Sequence, residues 1–394
     1  MTEAPDTAPL FGNWNYPTTV RFGVGRIKEL PQCCRDLGMT RPLLVTDPGL
    51  VDRDMVKDAA AATNDAGLPT SVFSDIKPNP VGRNISDGLR VFHEGGHDGV
   101  IAFGGGSAMD AGKTIAFMAG QKRPLWDFED AGDNWRRAEL DAIAPIVAVP
   151  TTSGTGSEVG RATVVIDEET ETKKILFHPR MLPELVICDP ALVAGLPPHL
   201  TAATGMDALA HSLEAFSVNG YHPMADGIAL EGMRLIRHWL PQAVEDGNNL
   251  EARAHMMAAA TMGATAFQKG LGAIHSLSHP VGAVFDTHHG LTNAVFMPYV
   301  LVFNRPAIED KMATLARFIG LKKPSFRAVL DWTLELRERF EIPHTAADLG
   351  VAPDRLGDLS EMAAADPTAP TNPVPAGVKE MRQILDAAME GRIG

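Results

Sequence analysis

The sequence predicts an α/β domain built on a doubly wound parallel sheet, followed by an all-helical domain. Three observations carry this. Compact apolar runs alternate with helix-patterned segments through the first half of the chain, and one of those runs opens directly into three glycines and a further helix. Past Pro197-Pro198 the strand-like runs stop and apolar residues fall at helical spacing. A chain of 394 residues exceeds what a single core usually supports, so the boundary is placed near Ala194, with domains over 1–194 and 195–394.

Residues 16–23 read as a short strand closing on a glycine turn, and 27–37 as a helix. The run Pro42-Leu43-Leu44-Val45-Thr46-Asp47 is apolar until it meets an acid and a Pro-Gly turn, the pattern of a strand buried on both faces. A helix over 55–66, a strand over 70–73, a helix over 82–95 and a strand over 99–103 follow. That last strand leads into Gly104-Gly105-Gly106-Ser107-Ala108-Met109-Asp110 and a helix over 110–118. Glycines between a strand and a helix N-terminus let the backbone approach a phosphate, where free amides and the helix dipole attract its charge. Three glycines could also make only a tight turn; the strand–glycine–helix context favours a pyrophosphate cradle.

A strand over 145–149 ends in Pro150-Thr151-Thr152-Ser153-Gly154-Thr155-Gly156-Ser157-Glu158. The loop is rich in hydroxyls and glycine at the carboxyl end of a strand, where open α/β sheets bind ligands; capping a following helix is the plain alternative. Two such loops on consecutive strand ends favour a nucleotide. Asp47, at another strand end, can accept hydrogen bonds from the adenosine ribose and would repel a 2′-phosphate, which points to NAD over NADP. As a lone residue it would more often form a turn.

In the second half, helices are expected over 201–218, 224–240, 250–268, 307–318, 326–340 and 378–389, with a proline-rich loop over 366–373. The composition narrows the function. A formal charge of −14 argues against nucleic-acid or anionic-membrane partners, which need a basic face, and no apolar run reaches the length that crosses a bilayer. Residues 1–9 carry Glu3, Asp6 and two prolines and do not form a secretory signal, so a cytoplasmic location is expected. Cys33, Cys34 and Cys188 form neither a disulfide framework nor a zinc–thiolate cluster and read as small buried hydrophobes.

The chemistry concentrates between Thr204 and Asn293. Asp207 and His211 are four apart, as are His275 and His279, and His288 adjoins His289. On a helix a spacing of four puts two side chains on one face about 5–6 Å apart at Cβ, which suits two ligands of one ion. Three imidazoles and a carboxylate suit iron(II) or zinc, whereas carboxylate-rich sites suit magnesium. Spacing leaves open which imidazoles reach the ion. Pro280 removes a backbone donor and should bend its helix. His93, His97, His199, His222, His238 and His255 read as ordinary core or surface residues.

Together these motifs resemble the iron-containing, group III alcohol dehydrogenase family, over nearly the whole chain: the strand ending at Asp47, Pro78-Asn79-Pro80, Gly104-Gly105-Gly106-Ser107 with Asp110, the run from Pro150 to Val159, Gly205-Met206-Asp207-Ala208-Leu209 with His211, and His275 through Gly290. The resemblance implies a Rossmann-like sheet, in the architecture shared with dehydroquinate synthase. It implies an iron(II) site, with zinc or another divalent ion possible in its place, ligated by Asp207, His211, His275 and His289. It makes His279 a candidate either for supporting the ligands from behind or for relaying a proton, and sets His288 outside. It also implies nucleotide contacts from Asp47, Asn79, Gly104, Gly105, Gly106, Ser107, Asp110, Thr151, Thr152 and Thr155, with Lys173 near the cofactor. The expected reaction is reversible hydride transfer between a small alcohol and NAD, giving an aldehyde or ketone, in a homodimer or larger homo-oligomer. Arg161 is a candidate cation for an acidic substrate, with a surface role as its alternative. Two rivals share the cofactors: a dehydroquinate synthase-like lyase, and a hydroxyacid-oxoacid transhydrogenase that retains its nucleotide.

Overall fold

The computed structural model describes residues 12–14, 18–170 and 172–393. Its first half contains β1 (Gly12–Trp14), β2 (Thr19–Phe22), α1 (Leu30–Asp36), β3 (Pro42–Val45), α2 (Asp54–Asp65), β4 (Ser71–Phe73), α3 (Gly82–Glu94), β5 (Gly99–Gly104), α4 (Gly106–Met118), β6 (Ile146–Pro150), β7 (Ala162–Asp167), β8 (Thr172–Phe177) and β9 (Leu185–Cys188). Six strands run parallel in the order β4-β3-β5-β6-β9-β2, and β1 adds an antiparallel edge. The central strands β3, β5, β6 and β9 are buried at every position, which is why they read as unbroken apolar runs.

The chain leaves β3 through α2 to β4 on one side and returns through α3 to β5 on the other. The strand order therefore reverses between β3 and β5, and their carboxyl ends open a crevice of the kind that binds ligands in doubly wound sheets. Asp47 and the triple glycine follow these two strands directly.

Several elements differ from expectation. Of the predicted 16–23 strand, Tyr16 and Pro17 lie outside the described residues and β2 covers Thr19–Phe22. The predicted 27–37 helix begins as a 3-10 turn at Arg26–Glu29 before α1. β3 stops at Val45 instead of Asp47, because the Gly49 amide donates to Asp47 Oδ1 at 2.9 Å and Pro48 offers the sheet no donor. α4 starts at Gly106, four residues before the predicted 110, since glycine's poor helix propensity conceals the first turn. No strand was expected over 162–177, where β7 and β8 form an antiparallel hairpin. Its Ile166 amide donates to Pro80 O at 2.7 Å, so the hairpin props the Pro78-Asn79-Pro80 loop.

The second half contains α5 (Pro198–Ser217), α6 (Pro223–Glu245), α7 (Leu250–Ala266), α8 (Ala273–Phe285), α9 (His289–Phe318), α10 (Phe326–Arg339), α11 (Leu356–Ala365) and α12 (Val378–Glu390), and no strand among the described residues. α9 starts 18 residues before the predicted 307 and contains Pro298 and Pro306. Each proline removes one donor, and burial of the flanking 294–301 segment holds the helix together regardless. α8 likewise runs through Pro280, and α11 was not expected at all. α5 is buried at every position from 201 to 217, with α6, α7 and α9 packed around it, so any polar group it carries is taken out of water.

Between β9 and α5 the chain makes a 3-10 turn at Pro190–Val193. The buried Arg253 of α7 holds this junction, donating to Leu196 O at 3.0 Å and Thr201 Oγ1 at 2.7 Å.

Candidate metal centre and cofactor cleft

The buried helix α5 presents Asp207 and His211 one turn apart; α8 contributes His275, and His289 is the first residue of α9. Each of the four offers a ligand atom within 4.8 Å of all the others. His211 Nε2 lies 3.8 Å and His289 Nε2 3.7 Å from Asp207 Oδ1. A tetrahedral ion with bonds of about 2.0–2.1 Å spaces its ligand atoms at roughly 3.4 Å, so the separations suit one small divalent ion.

Two further residues complete the centre. Glu214 lies one turn beyond His211; its Oε2 is 2.6 Å from His275 Nδ1, and its Oε1 accepts from the Ile274 amide at 2.7 Å. A carboxylate behind a ligating imidazole fixes the ring and leaves the other nitrogen facing the ion. Asn293, one turn beyond His289, is fully buried; its Nδ2 donates to Asp207 Oδ1 at 2.8 Å and lies 3.3 and 3.2 Å from Nε2 of His275 and His289. Sequence reasoning passed over both. The signal was there in the helical spacing, since 211/214 and 289/293 each share a face.

Burial governs the titration of these groups. It pulls His211 down to about 4 against the attraction of Asp207. It takes His289 well below the usual imidazole value, with His275 and Lys173 adding repulsion. Burial also acts downward on His275, but its bond to Glu214 and the charges of Glu214, Asp207 and Asp366 outweigh that and raise it.

His279 stands one turn beyond His275 with its ring stacked on His289 at 5.5 Å between centroids, and it lines the adjoining cleft. It is not one of the four clustered residues. His288 caps α9, its Nδ1 accepting from the Leu291 amide at 3.4 Å.

The cleft, of roughly 1000 Å³, runs from the crevice between β3 and β5 to Asp207 and His289 and is at the upper end of the range for cofactor sites. Asp47, Gly105, Gly106, Ser107, Thr151, Thr152 and Thr155 line one end. The backbone is closely approached there: a Cβ on Gly105 would sit 3.2 Å from Thr152 Cγ2, a tight contact, and one on Gly106 only 2.7 Å from Thr155 Oγ1. No side chain caps the N-terminus of α4, so its first amides are free to meet an anion. Gly104 lies beneath, at φ 151°, with Asp47 Oδ2 3.3 Å from where its Cβ would be. Asp110 reaches the wall with both oxygens engaged, by Ser157 Oγ at 2.6 Å and the Val164 amide at 2.9 Å.

At the other end Asn79 Nδ2 donates across the cleft to Asp286 Oδ1 at 2.6 Å. Lys173 lies alongside, its ammonium pulled down to about 8 by burial against the attraction of Asp286, Asp110, Asp207 and Asp366. Arg161 is not brought to the cleft: its side chain donates to Gln268 Oε1 at 3.2 Å and stacks over Phe177.

Comparison with known proteins adds to this geometry. Residues 17–190 match the family model described as iron-containing alcohol dehydrogenase, and 201–389 match the model of the Fe-containing alcohol dehydrogenase family, C-terminal. The chain is 38% identical to the 4-hydroxybutyrate dehydrogenase of Cupriavidus necator over 95% of its own length and 99% of the relative's. It is 33% identical to the NAD-dependent methanol dehydrogenase of Bacillus methanolicus over 96% and 100%. Its fold superposes on the crystal structure of a 1,3-propanediol oxidoreductase with a TM-score of 0.90 at 34% identity, over 96% of this chain and 99% of that one.

Proposed function

Because the chain belongs to the iron-containing alcohol dehydrogenase family, we propose a division of work among the residues of its cleft. The reaction is reversible NAD-dependent dehydrogenation of a small alcohol to an aldehyde or ketone. When bound, NAD supplies the hydride acceptor and iron(II) supplies a positive charge that makes the alcohol proton easier to lose.

Asp207, His211, His275 and His289 hold the ion, and the donor set fits it: one anion and three imidazoles bring their ligand atoms within 4.8 Å of one another. Glu214 orients His275, and Asn293 orients Asp207. The uncapped start of α4 with Gly105, Gly106 and Ser107 takes the pyrophosphate. Thr151, Thr152 and Thr155 face it, Asp47 takes the adenosine ribose, and Asn79 and Lys173 lie toward the nicotinamide end. Leu196, Pro197 and Leu200 form the apolar wall that limits water at the reacting carbon. His279 receives the alcohol proton.

The observation that carries this reading is the meeting of a four-ligand cluster and a glycine-floored crevice in one cleft. The proposal includes assembly as a homodimer or larger homo-oligomer, checked by light scattering, and a cytoplasmic location; no helix among the described residues is long and apolar enough to cross a membrane. The test strips the metal, reloads the protein separately with iron(II) and with zinc, and follows reduced nicotinamide across a panel of neutral and acidic alcohols. Turnover should appear only after reloading. Equal turnover by the stripped protein would overturn the metal assignment, and substrate consumption without reduced cofactor would favour a lyase.

A further inference from the structure

His279 is tied to the residue that ends α11 and opens the proline-rich loop. Its Nδ1 lies 2.8 Å from Asp366 Oδ2, and both side chains are buried, at 9% and 8% exposure. Asp366 Oδ1 accepts from the Thr368 amide at 2.9 Å and from Thr368 Oγ1 at 2.6 Å. Thr368 Oγ1 is in turn 2.9 Å from Ser276 Oγ, on the same helix as His279. Three hydrogen bonds thus converge on one carboxylate. Burial opposes its ionisation, and His279 with the Thr368 bonds outweighs that, holding Asp366 below the usual carboxylate range.

An ionised carboxylate only accepts hydrogen bonds, so the proton in this contact belongs to Nδ1. Neutral imidazole carries one N–H; with Nδ1 protonated, Nε2 keeps its lone pair. Nε2 is also the nitrogen left for a ligand, because the ring lines the cleft while Nδ1 is occupied.

We propose that Asp366 is a positioning residue that fixes His279 in the Nδ1-protonated tautomer and so presents an unprotonated Nε2 to the substrate hydroxyl. This rests on the alcohol dehydrogenase reading above. In the step, the O–H bond of the alcohol breaks and an N–H bond forms at Nε2. The carbinol C–H bond gives its electron pair to oxidised nicotinamide, which is reduced as the alcohol is oxidised. The imidazolium formed at His279 is stabilised by Asp366 and passes its proton to solvent. Asp366→Asn keeps the shape but turns an amide donor toward Nδ1, which drives the ring proton onto Nε2, where it blocks acceptance.

The test records 15N spectra of histidine-labelled enzyme loaded with zinc, a diamagnetic ion, at rising pH until the spectra stop changing. The His279 signals are assigned by their absence in His279→Gln. The wild type should show protonated Nδ1 and unprotonated Nε2, and Asp366→Asn should show the reverse. With that change, kcat should fall by about 10²–10⁴-fold, with KM for NAD unchanged. Asp366→Glu should keep the wild-type tautomer and recover part of the rate. A wild-type spectrum with the proton on Nε2 overturns the proposal whatever the variants do. So does an Asp366→Asn enzyme with a reversed tautomer and full kcat. Failure of the underlying reading is distinguishable, because wild-type enzyme would then reduce no NAD with any alcohol while the 15N pattern stood.

Discussion

Replacing Glu214 by glutamine asks whether the metal centre depends on a group that does not join the ligand cluster. In the native site the carboxylate holds His275 Nδ1 at 2.6 Å through one oxygen and the Ile274 amide at 2.7 Å through the other, and both side chains are almost fully buried. Glutamine preserves the size and the acceptor for Ile274, but presents an N–H group to Nδ1. Two donors then face each other, or the imidazole moves its proton to Nε2, the nitrogen that must stay free for the ion. Loss of such a supporting partner lowers metal affinity by about 10–100-fold, which is roughly 1.4–2.7 kcal/mol. The native contact is short, buried and charge-assisted, so the expected loss lies near the upper figure. Competition for zinc against a chromophoric chelator measures the change, and circular dichroism of the metal-free proteins separates it from damage to the fold. At saturating metal, much of kcat should return. An intact Glu214→Gln protein that binds zinc within twofold of wild type would refute the argument.

Three other outcomes are expected. The folded-state pKa of His211 is about 4 against 6.5 for the free group, so between these values the unfolded chain binds more protons and the residue's contribution to stability falls as pH drops from about 6.5 to about 4. The full effect is roughly 3 kcal/mol. Since raised His275 acts with the opposite sign, the check is the difference in unfolding free energy between metal-free wild type and His211→Gln across that window; a difference that does not vary with pH would exclude it. Gly106→Ala puts a Cβ 2.7 Å from Thr155 Oγ1 in the predicted pyrophosphate cradle, and it should raise KM for NAD by about tenfold or more while leaving zinc affinity untouched. An unchanged KM would place the nucleotide elsewhere. Lys113→Met strips the donors from the carbonyls of Ser157, Gly160 and Ala162 and the counter-charge from Asp110 and Glu158; urea unfolding should show a loss of about 3–5 kcal/mol. A loss within error would show that the loop holds itself.

The parts of the fold legible in the sequence were those where one physical constraint dominates. β3, β5 and β6 are buried on both faces and read as apolar blocks, and the glycines after β5 are required by close approach. The β7–β8 hairpin was missed although its exposure alternates strictly along β7, because 162–167 contains only one charged residue and resembles a short core run. The early start of α9 was hidden by Pro298 and Pro306, whose local cost is outweighed by packing that only the tertiary structure supplies. At the site, helical spacing correctly put His275 and His279 on one face. It could not tell which would join Asp207, because the deciding contact comes from Asp366, 87 residues beyond His279.

That contact shows why the two histidines of α8 can be chemically alike and still do different work. Each has Nδ1 held by a buried carboxylate from another element, Glu214 of α5 for His275 and Asp366 after α11 for His279, and their ring centroids are 5.8 Å apart. Each pair leaves Nε2 with a lone pair to offer. For His275 that nitrogen lies among Asp207, His289 and Asn293, so its natural partner is a cation; for His279 it faces the cleft, so its natural partner is a hydroxyl proton. The difference in role therefore lies in what surrounds Nε2, and the two carboxylates serve one purpose. Exchanging their chemistry should confirm this: Glu214→Gln should lower metal affinity first, whereas Asp366→Asn should lower kcat with the metal still bound. If both variants lost metal to the same extent, the two imidazoles would be ligands of one centre and the separation of roles would be wrong.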